Sequence, residues 1–466
     1  MNLRRILSLL MTLAVWPCAS TLFACDVCRY QGLSNNCAHA IAEYVHGLQA
    51  GTAGELSSDE VAAFNTFGNG WTSTSQGTST LGQPAKVTWS VVPDGTILPR
   101  GLANATNGEE SNDPSGLIAF LDGVHHGGDS PGGSDLTQRS WWQLINSSFE
   151  RWDAVSGISF DYEENDDGRQ LGVFSGATGV RGDHRLGGHS IDGQISPTFL
   201  AYNFFANNSD MVIDTDEINR WSNSANNYRL FRNMLMHEIG HGIGLNHVEP
   251  TTQTKLMEPR ISTAYDGPQF DDILGVHRLY GDNNEEDGGN DTYVSATMLG
   301  VLAEGETFSV GTDAVDAVVT PDEVDFISID DNSDVDYFKF SVNAAQLVDI
   351  KITPMGPTYD EGTTAANAVP FDASAQSNLT LTLFDSDGTT QLEFQNATGL
   401  GGVEMIDDFQ LDTGGDYFVR VAGLSNAAQF FRLDVIAVPE PASWLLTAVA
   451  VSVFATRRRS ALSRGY

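Results

Sequence analysis

Hydrophobic positions fall into several rhythms along the chain, and each rhythm predicts a different element. Residues 1–24 hold Arg4 and Arg5, then the apolar run Ile6 to Val15, and close on Leu22-Phe23-Ala24, the layout of a secretory signal peptide. Lys86 to Val92 is a β-rich run stopped by Pro93-Asp94-Gly95, which predicts a strand. Trp142, Ile145, Phe149 and Trp152 recur at steps of three and four, so Trp141 to Val155 should be a helix with one apolar stripe, followed by a strand at Ile158 to Tyr162. Between these, residues 101–135 are rich in Gly, Asn and Ser and read as a loop insertion that carries His125-His126 into solvent. Residues 282–291, DNNEEDGGND, hold no apolar side chain and read as a solvated linker. Beyond it the period becomes two, in Asp336-Tyr337-Phe338-Lys339-Phe340, Leu379 to Phe384 and Asp416 to Val421, which predicts an antiparallel β-sandwich over 292–437. The last rhythm is an uncharged run from Trp444 to Ala455 that stops at Arg457-Arg458-Arg459, shorter than the roughly 20 residues a bilayer span needs.

Charge narrows the possible functions. The 466 residues carry 24 Lys plus Arg against 61 Asp plus Glu, a formal net charge of −37. Such a surface repels phosphate backbones and anionic lipid, so nucleic-acid binding and electrostatic membrane docking are poor hypotheses. Most of the acidity lies in 282–437, where 4 basic residues face 29 acidic ones. Turns such as Asp330-Asp331-Asn332-Ser333-Asp334 and Asp385-Ser386-Asp387-Gly388 offer calcium ligands but lack an EF-hand's spacing, and they read as solvated turns. With 41% hydrophobic residues the chain can bury sizeable cores, and its length allows more than one domain. All four cysteines, Cys18, Cys25, Cys28 and Cys37, precede residue 38, so no disulfide staples the rest.

The densest chemistry is His237-Glu238-Ile239-Gly240-His241-Gly242-Ile243-Gly244-Leu245-Asn246-His247. A helix over Asn233 to Ile243 places His237 and His241 one turn apart on one face, able to aim imidazole nitrogens at a single ion. Gly244 can take a positive φ, letting the chain leave the helix and bring His247 in as a third ligand. Three neutral imidazoles leave a tetrahedral zinc one open position, the arrangement of a catalytic site. Glu238 follows the first ligand and lies about 100° round the helix, placed to act as general base on a zinc-bound water.

This HExxHxxGxxH pattern resembles the metzincin zinc endopeptidases, and further matches resemble the matrixins. Leu256-Met257-Glu258-Pro259 is similar to the family's Met-turn, which implies that Met257 underlies the ligands and Pro259 walls the pocket for the residue after the scissile bond. Asp271 to Gly281 resembles the closing helix, and Asp214 to Trp221 the acidic calcium-binding segment, so Asp192, Asp214 and Glu217 are candidate calcium ligands. The resemblance implies an α+β catalytic domain, a twisted mixed sheet with an active-site helix, and substrate bound as an added strand along Leu200, Ala201, Tyr202 and on to Phe204. It covers roughly residues 84 to 282. Family positions that hold a second, structural zinc are Tyr202 and Val212 here, so one zinc is expected although His184 and His189 lie near in sequence. Val248 and Ile261 replace residues common in the family, and the latency motif PRCGxPD is missing. Cys25, Cys28 or Cys37 could cap the zinc of a proenzyme, or two of them could pair and leave one thiol spare. The sandwich resembles the bacterial pre-peptidase C-terminal domain, and Val438-Pro439-Glu440-Pro441 with the apolar run and arginines resembles a PEP-CTERM sorting tail read by exosortase systems of Gram-negative bacteria.

The expected order is a signal peptide (1–24), a propeptide-like segment (25–83) with a helix near Ala38 to Leu48, a peptidase domain (84–281), the linker, the sandwich, and the tail (438–466). The expected function is a secreted, extracellular or cell-surface zinc endopeptidase that cuts protein or peptide substrates and touches the membrane only transiently through its tail. The rival is a non-catalytic matrix or surface protein that uses the same scaffold as a binding platform.

Overall fold

The structure is a computed structural model that describes residues 23–24 (backbone), 64–99, 110–125, 133–192, 199–248, 254–362 and 366–439. The expected leader up to Leu22, Cys25, Cys28, Cys37, the helix expected at Ala38 to Leu48 and the tail from Glu440 lie outside these residues.

In the first domain β1 (Phe23–Ala24), β2 (Ser73–Thr74), β3 (Gly77–Thr78) and β4 (Ala85–Val91) are followed by α1 (Leu117–Val124) and α2 (Trp142–Asp153). After these come β5 (Ile158–Tyr162), β6 (His184–His189), β7 (Ala201–Phe204), β8 (Met211–Asp214), α3 (Ile218–Trp221), α4 (Arg229–Gly242) and α5 (Phe270–Tyr280). One mixed sheet has the order β1-β7-β8-β6-β4-β5. β5, β4, β6 and β8 run parallel, while β7 is antiparallel to both β8 and β1. Parallel neighbours need a crossover, and α2 supplies it between β4 and β5. Its stripe of Ile145, Phe149 and Trp152 is fully buried, and Trp152 Nε1 donates to the Met236 carbonyl at 2.9 Å, fixing α2 against α4. β6, β7 and β8 are buried throughout, because both faces of the sheet are covered.

Two readings of this region change. The loop insertion contains α1, whose Leu117 and Leu121 are four apart and fully buried, and whose first N–H groups donate to the Asp94 carboxylate. His125 is not in solvent: it is buried between the rings of Tyr228 and Phe231, and burial lowers its pKa to about 4. Residues 64–83 pack into the first domain. Trp71 is buried in its core, and the Trp71 N–H donates to the Tyr280 hydroxyl, which donates in turn to the Ile243 carbonyl.

The second domain comprises β9 (Thr297–Val301), β10 (Thr307–Val310), β11 (Ser328–Ile329), β12 (Val335–Val342), β13 (Gln346–Pro354), β14 (Thr358–Glu361), β15 (Val369–Asp372), β16 (Leu379–Phe384), β17 (Gln391–Gln395), β18 (Glu404–Leu411), β19 (Gly415–Gly423) and β20 (Gln429–Val438). Two five-stranded sheets, β10-β20-β13-β18 with β11 on β20, and β17-β16-β19-β12-β9, enclose Phe338, Ile350, Leu381, Val419 and Leu433. The strict alternation of burial along β12 is the period-two signal read from the sequence. β14 and β15 form a separate hairpin.

The two domains share a third apolar cluster. Phe270, Ile273 and Leu274 of α5 meet Phe326, Phe371 and Phe430 of the sandwich. Arg151 donates to the carbonyls of Thr320, Pro321 and Glu323. His277 is buried between the Val155 carbonyl and the Ser328 hydroxyl, a packing role that spans the junction. The stretch 282–291 is correspondingly not a solvated linker. Asn283–Gly288 forms 3₁₀ turns, Asp282, Glu285 and Asn290 are buried, and the Asp282 carboxylate ties the stretch down by receiving the N–H groups of Asn284 and Ser328. Among the described residues no helix is long and apolar enough to cross a membrane.

Candidate active site

Helix α4 carries the motif, starting a turn earlier than its sequence suggests. His237 Nδ1 donates to the Leu256 carbonyl at 2.6 Å, and His241 Nδ1 donates to the Leu245 carbonyl at 2.7 Å. A carbonyl only accepts, so both rings hold their proton on Nδ1 and present the lone pair of Nε2. Gly244 takes a φ of 105° and turns the chain back. His247 then places its Nε2 3.3 Å from that of His237 and 3.3 Å from that of His241. Nitrogens bound tetrahedrally to zinc at about 2.0–2.1 Å stand about 3.3 Å apart. The three rings therefore fit one zinc ion. Glu238, fully buried, is the next residue on the helix.

The floor of the site comes from residues 256–259. A Cβ on Gly240 would lie 2.4 Å from Met257 Sδ, so the methionine packs directly under the helix where only glycine leaves room. The N–H groups of Leu256 and Met257 donate to the Asp272 carboxylate at 2.7 and 3.0 Å. Since the Leu256 carbonyl holds His237, Asp272 orients that ring through one peptide unit. Pro259 follows at intermediate burial.

A second support was not legible in the sequence. The Asn246 N–H donates to the Asn65 carbonyl at 2.7 Å, Asn65 Nδ2 donates to the His247 carbonyl at 3.0 Å, and the Phe67 N–H donates to the Gly244 carbonyl at 2.7 Å. The stretch from Phe64 thus runs antiparallel to the segment bearing the third histidine. Phe67 stacks on Phe205 at 4.1 Å, and Phe205 meets the His241 ring edge-on. The spacing of Phe64, Phe67 and Trp71 was the available signal.

β7 lies beside α4. Leu200 precedes the strand and accepts the Asp214 N–H; Ala201 and Tyr202 lie within it. The edge read as open to substrate is paired with β1, Phe23 opposite Phe204 and Ala24 opposite Asn203. Tyr202 turns its side chain into the domain, where its hydroxyl meets the Pro99 carbonyl at 2.6 Å and Glu110 at 2.8 Å. His189 Nε2 meets the same Glu110 oxygen at 2.8 Å, and His184 Nδ1 pairs with the Ser209 hydroxyl at 2.7 Å.

The calcium candidates are only partly gathered. Asp192 and Asp214 are both buried, each accepting hydrogen bonds from backbone N–H groups, and burial pushes them up to about 6 and about 8. Glu217, also raised by burial, is ion-paired to Arg220 at 2.6 Å. A stronger cage stands at the junction. Carboxylate oxygens of Glu285, Asp291 and Asp334 lie within 4.8 Å of one another. Asp336 is fully buried beside them, and both of its oxygens lack a hydrogen-bond partner. Burial, then the facing Asp334 and Asp282, pushes Glu285 up to about 9; burial with Asp334 and Asp331 does the same for Asp330; Asp336 is raised well above its ordinary value by burial, Asp334 and Asp282. The turn Asp330 to Asp334, read as solvated, thus turns Asp330 and Asp334 into a half-buried acidic pocket while Asn332 and Ser333 face solvent, and Asp387 stays exposed and bonds Thr389 and Thr390.

Residues 130–281 match the matrixin (peptidase M10) family model, and residues 334–423 match the bacterial pre-peptidase C-terminal domain. Over 161 residues the chain is 32% identical to the hatching enzyme of Paracentrotus lividus, covering 32% of this chain and 24% of that protein. The chain thus spans about a quarter of the length of this curated relative. Among solved structures it is similar to the pre-peptidase C-terminal domain of collagenase from Bacillus anthracis, at 16% identity over 30% of this chain and 93% of that one, with a TM-score of 0.18. It is also similar to PliG, a periplasmic lysozyme inhibitor from Aeromonas hydrophila, at 10% identity over 30% of this chain and 98% of that one, with a TM-score of 0.17. The chain therefore carries a stretch similar to the matrixins followed by one similar to the pre-peptidase C-terminal domain.

Proposed function

We propose that this protein is a zinc endopeptidase that hydrolyses peptide bonds within protein substrates. The observation that carries the reading is that the Nε2 of His247 lies 3.3 Å from those of His237 and His241, the two ligands on the helix that also carries Glu238. His237, His241 and His247 hold the zinc, which when bound polarises the scissile carbonyl and lowers the pKa of a water. Glu238 takes the proton of the attacking water and delivers it to the leaving amine. The Leu245 and Leu256 carbonyls keep two ligand rings in the required tautomer, and the backbone of β7 offers hydrogen bonds to an extended substrate. Removal of the leader through Ala24 frees that edge by releasing β1. Pro259 borders the pocket beside Met257.

The protein is secreted by a Gram-negative bacterium, and an exosortase-type machinery handles the tail. Glu285, Asp291 and Asp334, with Asp336 behind them, would hold a calcium ion, and Asp192 and Asp214 would offer a weaker site that Glu217 could join only by leaving Arg220. Incubation of the purified protein with casein tests the peptidase reading. Cleavage that a zinc chelator abolishes and added zinc restores is the expected result; intact casein with zinc-loaded protein would leave the reading without support.

A further inference from the structure

The loop after Met257 is tied to the second domain by a buried charge. Lys255, immediately before Leu256 and Met257, is 2% exposed. Its ammonium pairs with Asp271 of α5 at 3.3 Å and with Glu361, the last residue of β14, and it lies 4.6 Å from the centre of the Tyr359 ring. The Tyr359 hydroxyl donates to Asp271 at 2.8 Å, so the hairpin grips both members of the ion pair. The backbone of Lys255 is engaged at both ends. Its N–H donates to Glu258 at 3.0 Å, and its carbonyl accepts from the Tyr265 hydroxyl. Tyr265 lies in the segment that returns from the Met-turn towards α5, and the Tyr265 and Ser262 carbonyls accept from Asn233 of α4. One lysine therefore fixes the entry to the Met-turn and the far side of the following loop. Half of the negative charge paired with it comes from the other domain.

We propose that Glu361 and Tyr359 are positioning residues for the substrate pocket: the β14–β15 hairpin, acting through Lys255, sets the shape of the 258–266 loop and thereby the preference for the residue after the scissile bond. The pre-peptidase C-terminal domain is then a working wall of the peptidase, held against α5 by the Phe270, Phe371 and Phe430 cluster. A buried lysine that loses one carboxylate must seek water or a new partner, and it draws the backbone at both ends of the loop with it. The proposal rests on the peptidase reading above.

The test uses the full chain. Glu361→Gln and Tyr359→Phe are compared with wild type on a peptide series that varies only the residue after the cut, with kcat, KM, zinc content and thermal midpoint measured in parallel. Glu361→Gln should change the ratio of kcat/KM for large against small residues by on the order of tenfold, at unchanged zinc content. Tyr359→Phe, which keeps the ring over the lysine and removes only the hydroxyl, should shift the ratio in the same direction by less and covers the case in which Glu361→Gln does not fold. An unchanged ratio in folded Tyr359→Phe and Glu361→Gln, with only a lower midpoint, overturns the proposal and leaves the hairpin a purely structural brace. A wild-type protein inactive on every peptide and on casein fails the peptidase reading instead.

Discussion

The metal centre and the junction between the two domains are both polar, both largely withdrawn from solvent and both built from titratable groups, yet they are written into the chain in opposite ways. The three histidines of the metal centre and Glu238, the proposed base, fall within eleven residues, because a helix and one glycine turn suffice to bring them together. The junction cage draws Glu285 and Asp291 from one segment, and Asp334 from the turn before β12 and Asp336 from β12 itself, more than forty residues later, and its walls need α5 and the sandwich already docked. Chemistry fixed by local geometry shows as a motif. Chemistry fixed by tertiary contact looks like scattered acid.

The largest effect should come from the locally encoded site. Glu238→Gln removes the proton carrier but none of the imidazoles, so kcat should fall by roughly 10²–10⁴-fold while metal analysis still finds one zinc per chain. Loss of zinc along with activity would show that the carboxylate helps to hold the ion, and the separation between ligand and base would fail.

The next test addresses the junction, where the sign follows from the raised carboxylates. In the folded protein Glu285 and Asp330 are pushed to about 9 and Asp334 to about 7 by burial and mutual repulsion, above the ordinary carboxylate range of the unfolded chain. Such groups stabilise the fold fully only below about pH 4, and the contribution drains away as pH rises through the folded values. Chelator-treated protein should therefore lose thermal stability between about pH 4 and pH 9, and calcium added at pH 8 should restore several degrees. Asp336→Asn should raise the midpoint of the chelated protein at pH 8 and shrink the calcium response. A chelated protein as stable at pH 9 as at pH 5 would remove the case for an ion there.

The same contrast explains what the chain discloses. Ile158 to Tyr162 was legible to the residue and α2 nearly so, since Ile145, Phe149 and Trp152 keep a helical period and β12 keeps a period of two. α1 was hidden because Gly, Asn and Ser surround two leucines four apart, and its N-terminus is capped from outside by Asp94. DNNEEDGGND reads as solvent-loving because composition cannot reveal that Ser328 and Asp334 will close over it. In residues 64–83 only Phe64, Phe67 and Trp71 keep an apolar spacing, too short a run to reveal the docking, and the hydrogen bonds of Asn65 leave no trace at all.

Gly240 lies on the legible side, and its cost is steric. Gly240→Ala would press a methyl group to 2.4 Å from Met257 Sδ, with Trp152 also close by. Overpacking of this kind costs roughly 1–3 kcal/mol, and the floor of the site must drop to relieve it. The expected result is a lower melting temperature together with weaker zinc retention. A lower melting temperature with unchanged retention would mean that Met257 yields without moving Leu256 and His237.

Asn65 joins the two modes of encoding, because a distant residue holds a ligand of the local motif. Asn65→Ala deletes the hydrogen bond from Nδ2 to the His247 carbonyl but keeps the backbone bond from Asn246, so only half of the clamp is lost. A net hydrogen bond is worth about 1 kcal/mol. His247 closes the ligand set and sits on the loop rather than on α4, so it is the ligand with most freedom to drift. Zinc affinity measured by competition with a calibrated chelator should therefore weaken about fivefold, while the folding midpoint moves by no more than a few degrees. Affinity unchanged in a folded variant would place all of the support in the backbone pairing of 65–67 with 244–246, a claim then open to a proline at Phe67, whose N–H is the next rung.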